Sequence, residues 1–196
     1  EAFMEVRYLA HAKQRQALEL IPAWAEEFKR VFGRESGGLL HTYRIEDADT
    51  IVVALGSVLG TIKDTVDAMR EQGARIGVLG ITCFRPWPTA AVRAALANAK
   101  RVVVLEKSLA VGLGGIVSNN VAASYPGSPD QVSTVIAGLG GRAITRASLQ
   151  RVFTAALEDR LEACAIALAR EARPGGDVLP DGSRKRPRQG AHHAHP

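Results

Sequence analysis

Apolar positions recur along this chain with two different periods. Over residues 5–32, Val6, Leu9, Ala10, Ala17, Leu20, Ile21, Trp24, Phe28 and Val31 return at helical spacing, marking one face of an α-helix. Pro22 lies inside this stretch and predicts a kink or restart, because proline lacks an N–H and its ring crowds the preceding turn. Gly33 closes the helix, and Gly37-Gly38 continue as loop. From Thr50 onward the pattern changes to short apolar runs. Thr50–Leu55, Arg75–Thr82, Arg101–Glu106 and Gln131–Ala137 are strand-sized and apolar at successive positions, as in strands buried on both faces. Helical stretches separate them: Thr61–Gln72, Ala90–Ala99 with Thr89 as its cap, and roughly Ile116–Ser124. Thr145 caps a final helix predicted to run to about Ala172.

Strand and helix in alternation predict a parallel sheet covered by helices. The right-handed crossover rule makes it an α/β, three-layer αβα sandwich with a mostly parallel sheet, preceded by an N-terminal connector helix. The predicted divisions are 1–42, a connector helix and loop from a preceding domain; 43–173, the αβα domain; and 174–196, a disordered basic and His-rich tail.

Composition narrows the class. In 196 residues, 46% hydrophobic and 23% charged residues exclude wholesale disorder. Nineteen glycines with few aromatics suit tight strand-to-helix turns. No apolar run reaches the roughly 18–20 residues of a membrane span. Cys83 and Cys164 lie far apart, which rules out a disulfide framework and an iron–sulfur or zinc site built from this chain alone. Reduced thiols and the lack of a signal-peptide pattern at the start point to the cytoplasm. The first residue is Glu1 rather than Met, so the chain reads as a piece of a longer polypeptide. Part of the +5 net charge sits at Arg184, Lys185, Arg186 and Arg188, a solvated tail rather than a nucleic-acid contact.

In a parallel sheet the loops after each strand gather at the strands' carboxyl ends, where ligands bind. That places Gly56-Ser57, Arg85, Glu106-Lys107 and Gly138–Arg142 on one edge. Gly56-Ser57 opens a helix whose first N–H groups suit an anion; the alternative is a tight turn with a capped helix. Gly112-Leu113-Gly114-Gly115 lacks dinucleotide spacing and reads as close helix–sheet packing. Arg85 beside Pro86 is held by a stiff turn, suited to carboxylate or phosphate recognition and equally to an interdomain salt bridge. Glu106 and Lys107 read as a solvated or interface ion pair, with an acid/base pair as the alternative. His11 and His41 have no partner at metal-ligand spacing, and no nucleophile motif is present. No complete catalytic set emerges from the residues themselves.

An ordered series of segments resembles the alpha subunit of 2-oxoacid:ferredoxin oxidoreductases, of which pyruvate:ferredoxin oxidoreductase is the best known. The segments are Tyr43–Asp49, Val52–Ser57, Gly60–Lys63, Gly77–Leu79 running into Phe84-Arg85-Pro86-Trp87-Pro88, Val103–Ser108, and Gly138–Thr145 with Gly140 and Arg142. The front helix resembles the connector that follows that subunit's first domain. The resemblance covers about Glu1 to Leu157 and implies a transketolase C-terminal-like domain of largely architectural role. It implies oxidative decarboxylation of a 2-oxoacid, with pyruvate foremost, to acyl-CoA. Thiamine diphosphate, magnesium, iron–sulfur clusters and coenzyme A then belong to the complex and none to this chain alone. The implied partners are beta, gamma and delta-type subunits, with ferredoxin as acceptor. The magnesium and diphosphate motif G-D-G…N is absent here. Trp87 stands where the family usually has Phe, and Glu106-Lys107 where many members have Asp-Arg. Two alternatives stay open: a stand-alone module for a phosphate-bearing ligand, and the C-terminal domain of a transketolase or 2-oxoacid dehydrogenase beta-type subunit.

Overall fold

The computed structural model describes residues 2–161 and 164–167. Six strands form one sheet: β1 (Leu40–Tyr43), β2 (Thr50–Ala54), β3 (Ile76–Ile81), β4 (Arg101–Glu106), β5 (Val132–Ala137) and β6 (Cys164–Ala167). Five helices accompany it: α1 (Ala2–Phe32), α2 (Val58–Arg70), α3 (Thr89–Ala95), α4 (Ile116–Ser124) and α5 (Arg146–Leu157). The strand order is β1-β3-β2-β4-β5-β6. Strands β2 to β6 pair in parallel, and β1 runs antiparallel on the outer edge of β3. The chain steps from β2 to β3 on one side, then returns across β2 to place β4 on the other. The order reverses between β2 and β4, which opens a crevice beyond their carboxyl ends.

Every residue of β2 and β3 is buried, the pattern of strands covered on both faces. One layer packs α2 and α5 on the sheet, through Ile62, Val66, Leu149 and Phe153 against Val52, Val78, Val103 and Val135. The other packs α3 and α4, through Val92, Leu96, Val117 and Val121 against Ile51, Val53, Leu79 and Val104. The αβα sandwich expected from the alternation is therefore present.

Three local expectations need correction. The last helix does not reach Ala172: it stops at Leu157, Asp159 turns the chain with φ +53°, and Cys164–Ala167 adds a sixth strand beside β5. The Ala-rich sequence there favours helix, and pairing with an open sheet edge overrides that weak preference. Pro22 does not divide the front helix, which runs as one element of 31 residues. Pro22 is exposed, so solvent can satisfy the carbonyl that loses its partner. Thr89 is the first helical residue rather than the cap of α3, because Pro88 takes the cap position. Strand β1 carries no apolar run long enough to announce itself. The tail at 174–196 lies outside the described residues.

Helix α1 differs from the rest. None of its residues is buried. Leu18 lines a cleft with Leu39, Trp87 and Arg93, so one side of the helix rests against the domain. Val6, Leu9, Leu20, Trp24 and Val31 remain exposed. No helix among the described residues is long and apolar enough to cross a membrane.

Candidate functional site

The loops after β2, β3, β4 and β5 converge at the carboxyl ends of the parallel strands. A cavity of about 320 Å³ opens there, at the β2/β4 reversal. Leu55 and Val58 line it from the β2 turn, Phe84 from the β3 turn, and Leu105, Glu106, Lys107 and Ser108 from the end of β4. Ile116 and Val117 close it from the start of α4. Its wall is therefore mostly hydrocarbon, with Glu106 and Lys107 as the charged residues of the lining.

Glu106 is not half of an ion pair with Lys107. Only 4% of it is exposed, and its carboxylate turns away from solvent toward α4. Oε2 accepts the backbone N–H groups of Ile116 and Val117, both at 2.9 Å, and Oε1 accepts that of Ser118 at 3.1 Å. A helix begins with N–H groups that have no partner inside the helix, and the positive end of its dipole faces them. Glu106 supplies both the acceptors and the opposite charge, so its burial is compensated. Gly115 makes this approach possible: a Cβ there would lie 1.9 Å from Glu106 Oε1 and 2.3 Å from Ser118 Oγ. Sequence spacing could not reveal this, because the partner groups of the acid are backbone amides. Glu106 is thus a structural clamp, and the acid/base alternative falls.

Lys107 is exposed and lies across Gly138, whose φ of +76° turns the β5 loop beneath it. A Cβ at Gly138 would meet Lys107 Cε at 2.7 Å, so the lysine stem passes directly over the bare glycine. Arg142 follows on the same loop, exposed, ahead of the Thr145 and Ser148 capping box that starts α5. The Arg85–Pro86 peptide is cis, and the Arg85 guanidinium sits 4.0 Å over the Phe84 ring while donating to the Phe84 carbonyl at 2.8 Å. Phe84 itself lines the cavity, so Arg85 stands at its rim. Trp87 points the other way: its indole N–H donates to Ser124 Oγ at 2.7 Å.

Gly56 carries a φ of +81°, and Ser57 begins α2 with no hydrogen bond from its side chain. The amides of Leu59 and Gly60 donate back to the carbonyls of Gly56 and Ser57, at 3.2 and 3.4 Å. Those two donors are turned into the local turn. The sequence places Gly56, Ser57, Arg85, Pro86, Glu106, Lys107, Gly140 and Arg142 on one edge, and the structure puts their loops there. Leu55, Val58, Ile116 and Val117, which form the cavity between them, had no signal beyond ordinary apolar spacing.

The donor set does not fit the cofactors that the resemblance implies for the complex. Magnesium with a diphosphate takes carboxylate or amide oxygens. The loops 55–57, 82–88, 107–115 and 138–145 contain no Asp, Glu, Asn or Gln, and Glu106 already spends both oxygens on α4. Iron–sulfur ligation needs several thiolates. Cys83 is buried, lies 3.4 Å from the Pro86 carbonyl, and has its thiol pushed up by that burial. Among the described residues no three His, Cys, Asp or Glu side chains group as a metal site.

Comparison with known proteins fixes the lineage. Residues 48–149 match the model of pyruvate:ferredoxin oxidoreductase core domain II. The chain belongs to that family. Pyruvate synthase subunit PorA of Methanosarcina barkeri is 39% identical over 157 residues, covering 78% of this chain and 39% of the relative. The PorA subunit of Methanothermobacter thermautotrophicus is 35% identical over 150 residues, covering 76% of this chain and 38% of the relative. The chain therefore spans about two fifths of the length of these curated relatives. Among solved structures, a 2-oxoglutarate:ferredoxin oxidoreductase from Magnetococcus marinus superposes with a TM-score of 0.50 at 18% identity, covering 67% of this chain and 21% of that one. The shared fold agrees with the core domain II assignment.

Proposed function

We propose that this core domain II chain is the assembly domain of the alpha subunit of a cytoplasmic pyruvate:ferredoxin oxidoreductase. The enzyme as a whole converts a 2-oxoacid and coenzyme A to acyl-CoA and carbon dioxide, passing two electrons to ferredoxin. Thiamine diphosphate, held with magnesium on other domains, supplies the decarboxylation chemistry when bound. The choice of pyruvate rests on relatives that carry the name pyruvate synthase subunit PorA.

The observation that carries an architectural role is the carboxyl end of the sheet. Among the described residues its loops after β2 to β5 have a cavity, exposed cations and no free acid, so they offer surface without a reactive set. A catalytic edge of this fold would bring a base or metal ligands to the switch point. The exposed stripe on α1 supports the same reading, since Leu9, Leu20, Trp24 and Val31 are apolar positions on a helix with no cover on that side. In this reading α1 and its following loop connect to a preceding domain, and the αβα domain, which begins at β1 rather than at residue 43, packs against sister subunits of beta, gamma and delta type.

The test is purification of the tagged chain from its native host, with mass spectrometry, a visible absorption spectrum and an assay of pyruvate- and coenzyme A-dependent reduction of ferredoxin. The expected result is a brown preparation with thiamine-binding and iron–sulfur subunits and with activity. A colourless, lone chain would overturn the proposal, and lipoyl-bearing partners would move the chain to the 2-oxoacid dehydrogenases.

A further inference from the structure

The charges at the two ends of the sheet are arranged differently. At the amino end charged residues flank β2, β3 and β4 and pair with one another or with neighbours: Arg70 with Asp47 at 2.6 Å, Lys100 with Asp49 at 3.1 Å, Arg75 with Asp49 at 3.4 Å, and Arg101 with Asp159. At the carboxyl end the loops after β2 to β5 carry Arg85, Lys107 and Arg142 and no acid. None of the three forms an ion pair with any described residue. Glu106 is the carboxylate beside Lys107 in sequence, and its oxygens are held by α4.

Apolar groups are unmatched at the same end. The β4–α4 loop rises beside the cavity, closed on itself by the Ala110 N–H to Gly114 carbonyl bond at 2.8 Å. At its tip Val111 is 97% exposed, with Leu113 also exposed. A turn that is fixed by its own hydrogen bonds and presents valine and leucine to water carries an unfavourable hydration free energy, which covering them relieves. The cavity below it is lined mostly by hydrocarbon, with Lys107 and the amide-bound Glu106 in its wall; Arg85 adjoins the lining residue Phe84, and Arg142 lies on the β5 loop at the same end of the sheet. Protein interfaces have this layout, an apolar centre inside a charged rim.

We infer that the carboxyl end of the sheet is a docking surface for a protein partner that presents carboxylates around a protruding apolar side chain. The apolar side chain enters the cavity between Leu55, Phe84 and Ile116. The partner's carboxylates meet Arg85, Lys107 and Arg142, and Val111 and Leu113 lie against its surface. This rests on the reading that the chain works inside a multi-subunit oxidoreductase, and it specifies which face meets a sister subunit and with what chemistry. Charge complementarity selects an acidic partner: a basic surface would bring like charges together without relief from the loops after β2 to β5.

The experiment places a photoreactive benzoylphenylalanine at Val111 and, in a second version, at Trp24 on α1, in the full chain made in its native host. Cross-linked peptides are then sequenced. Val111 is expected to capture an Asp- or Glu-rich segment of a co-purifying subunit. The charge reversal Lys107→Glu with Arg142→Glu is expected to lower that capture by about tenfold or more. Four results would overturn the inference: capture of a basic or uncharged segment, capture of a second copy of this chain, capture insensitive to the charge reversal, or no capture. Trp24 separates the two levels. If it links sister subunits while Val111 links nothing, the assembly reading stands and this docking surface does not. If neither links anything and no subunit co-purifies, both fail.

Discussion

The two ends of this sheet are built from the same kinds of residue and finished in opposite ways. At the amino end, basic residues meet Asp47, Asp49 and Asp159, and the backbone joins in: the amides of Lys100 and Arg101 both donate to the Asp49 carbonyl. Around β2, β3 and β4 the charges of this end are paired. At the carboxyl end the one strand-terminal acid is spent inside the fold on α4, which leaves cations and apolar side chains facing outward. Stability is therefore invested at one end and at the Glu106 clamp, and the free surface is concentrated at the other. A charged residue at a strand end does not by itself announce chemistry; its partners decide whether it holds the fold or faces a neighbour.

Glu106→Ala is expected to have the largest effect on the chain, about 3 kcal/mol of unfolding free energy, because three backbone donors at the start of α4 lose their acceptor at once. Urea unfolding followed by circular dichroism reads it. A loss below about 1 kcal/mol would mean that the clamp is dispensable and that the carboxylate is available for other work. Gly115→Ala comes next, at about 2 kcal/mol, since its Cβ would collide with the same carboxylate. The two changes should not add. With Glu106 already removed, Gly115→Ala should cost a few tenths of a kcal/mol, and full additivity would show that the glycine serves something else.

The clamp also shows what the sequence could and could not disclose. The αβα layers were legible because β2, β3 and β4 are apolar at successive residues and the helices between them carry a single apolar face. The gathering of the loops on one edge followed from parallel connectivity. Strand order did not, since the step from β3 back across β2 is a tertiary choice with no local residue signal. The destination of Glu106 was hidden for the same reason: it bonds to amides ten to twelve residues ahead, and every residue has an amide. Strand β6 was hidden because Ala and Leu favour a helix where an open sheet edge was waiting.

The amino end gives a smaller effect with a pH signature. The Arg70 guanidinium holds the Asp47 carboxyl below its usual value, so the folded chain binds that proton less readily than the unfolded chain. The contribution is complete above the ordinary aspartate value near pH 4 and disappears as pH falls through the depressed one. Arg70→Leu also removes the 2.8 Å bond to the Ile76 carbonyl and should cost about 1 kcal/mol at neutral pH. The difference between variant and parent should shrink on acidification. A gap that stays constant down to pH 2 would assign the whole effect to the backbone contact and none to the ion pair.

The smallest effect on the chain itself belongs to the carboxyl end. Arg85→Ala, Lys107→Ala and Arg142→Ala should each shift unfolding by less than about 0.5 kcal/mol, because none is paired within the described fold and all are exposed. The same substitutions should weaken association with an acidic partner. A desolvated interfacial charge pair can account for about 2–5 kcal/mol when one side is truncated. Analytical ultracentrifugation of the purified complex at two salt concentrations, run beside urea titration of the chain, separates the two quantities. A cation that costs the isolated chain more than about 1 kcal/mol is paired within it, and the contrast between the ends fails at that residue. A chain that keeps both its stability and its assembly after all three are removed has its partner elsewhere, with the exposed stripe of α1 as the remaining face.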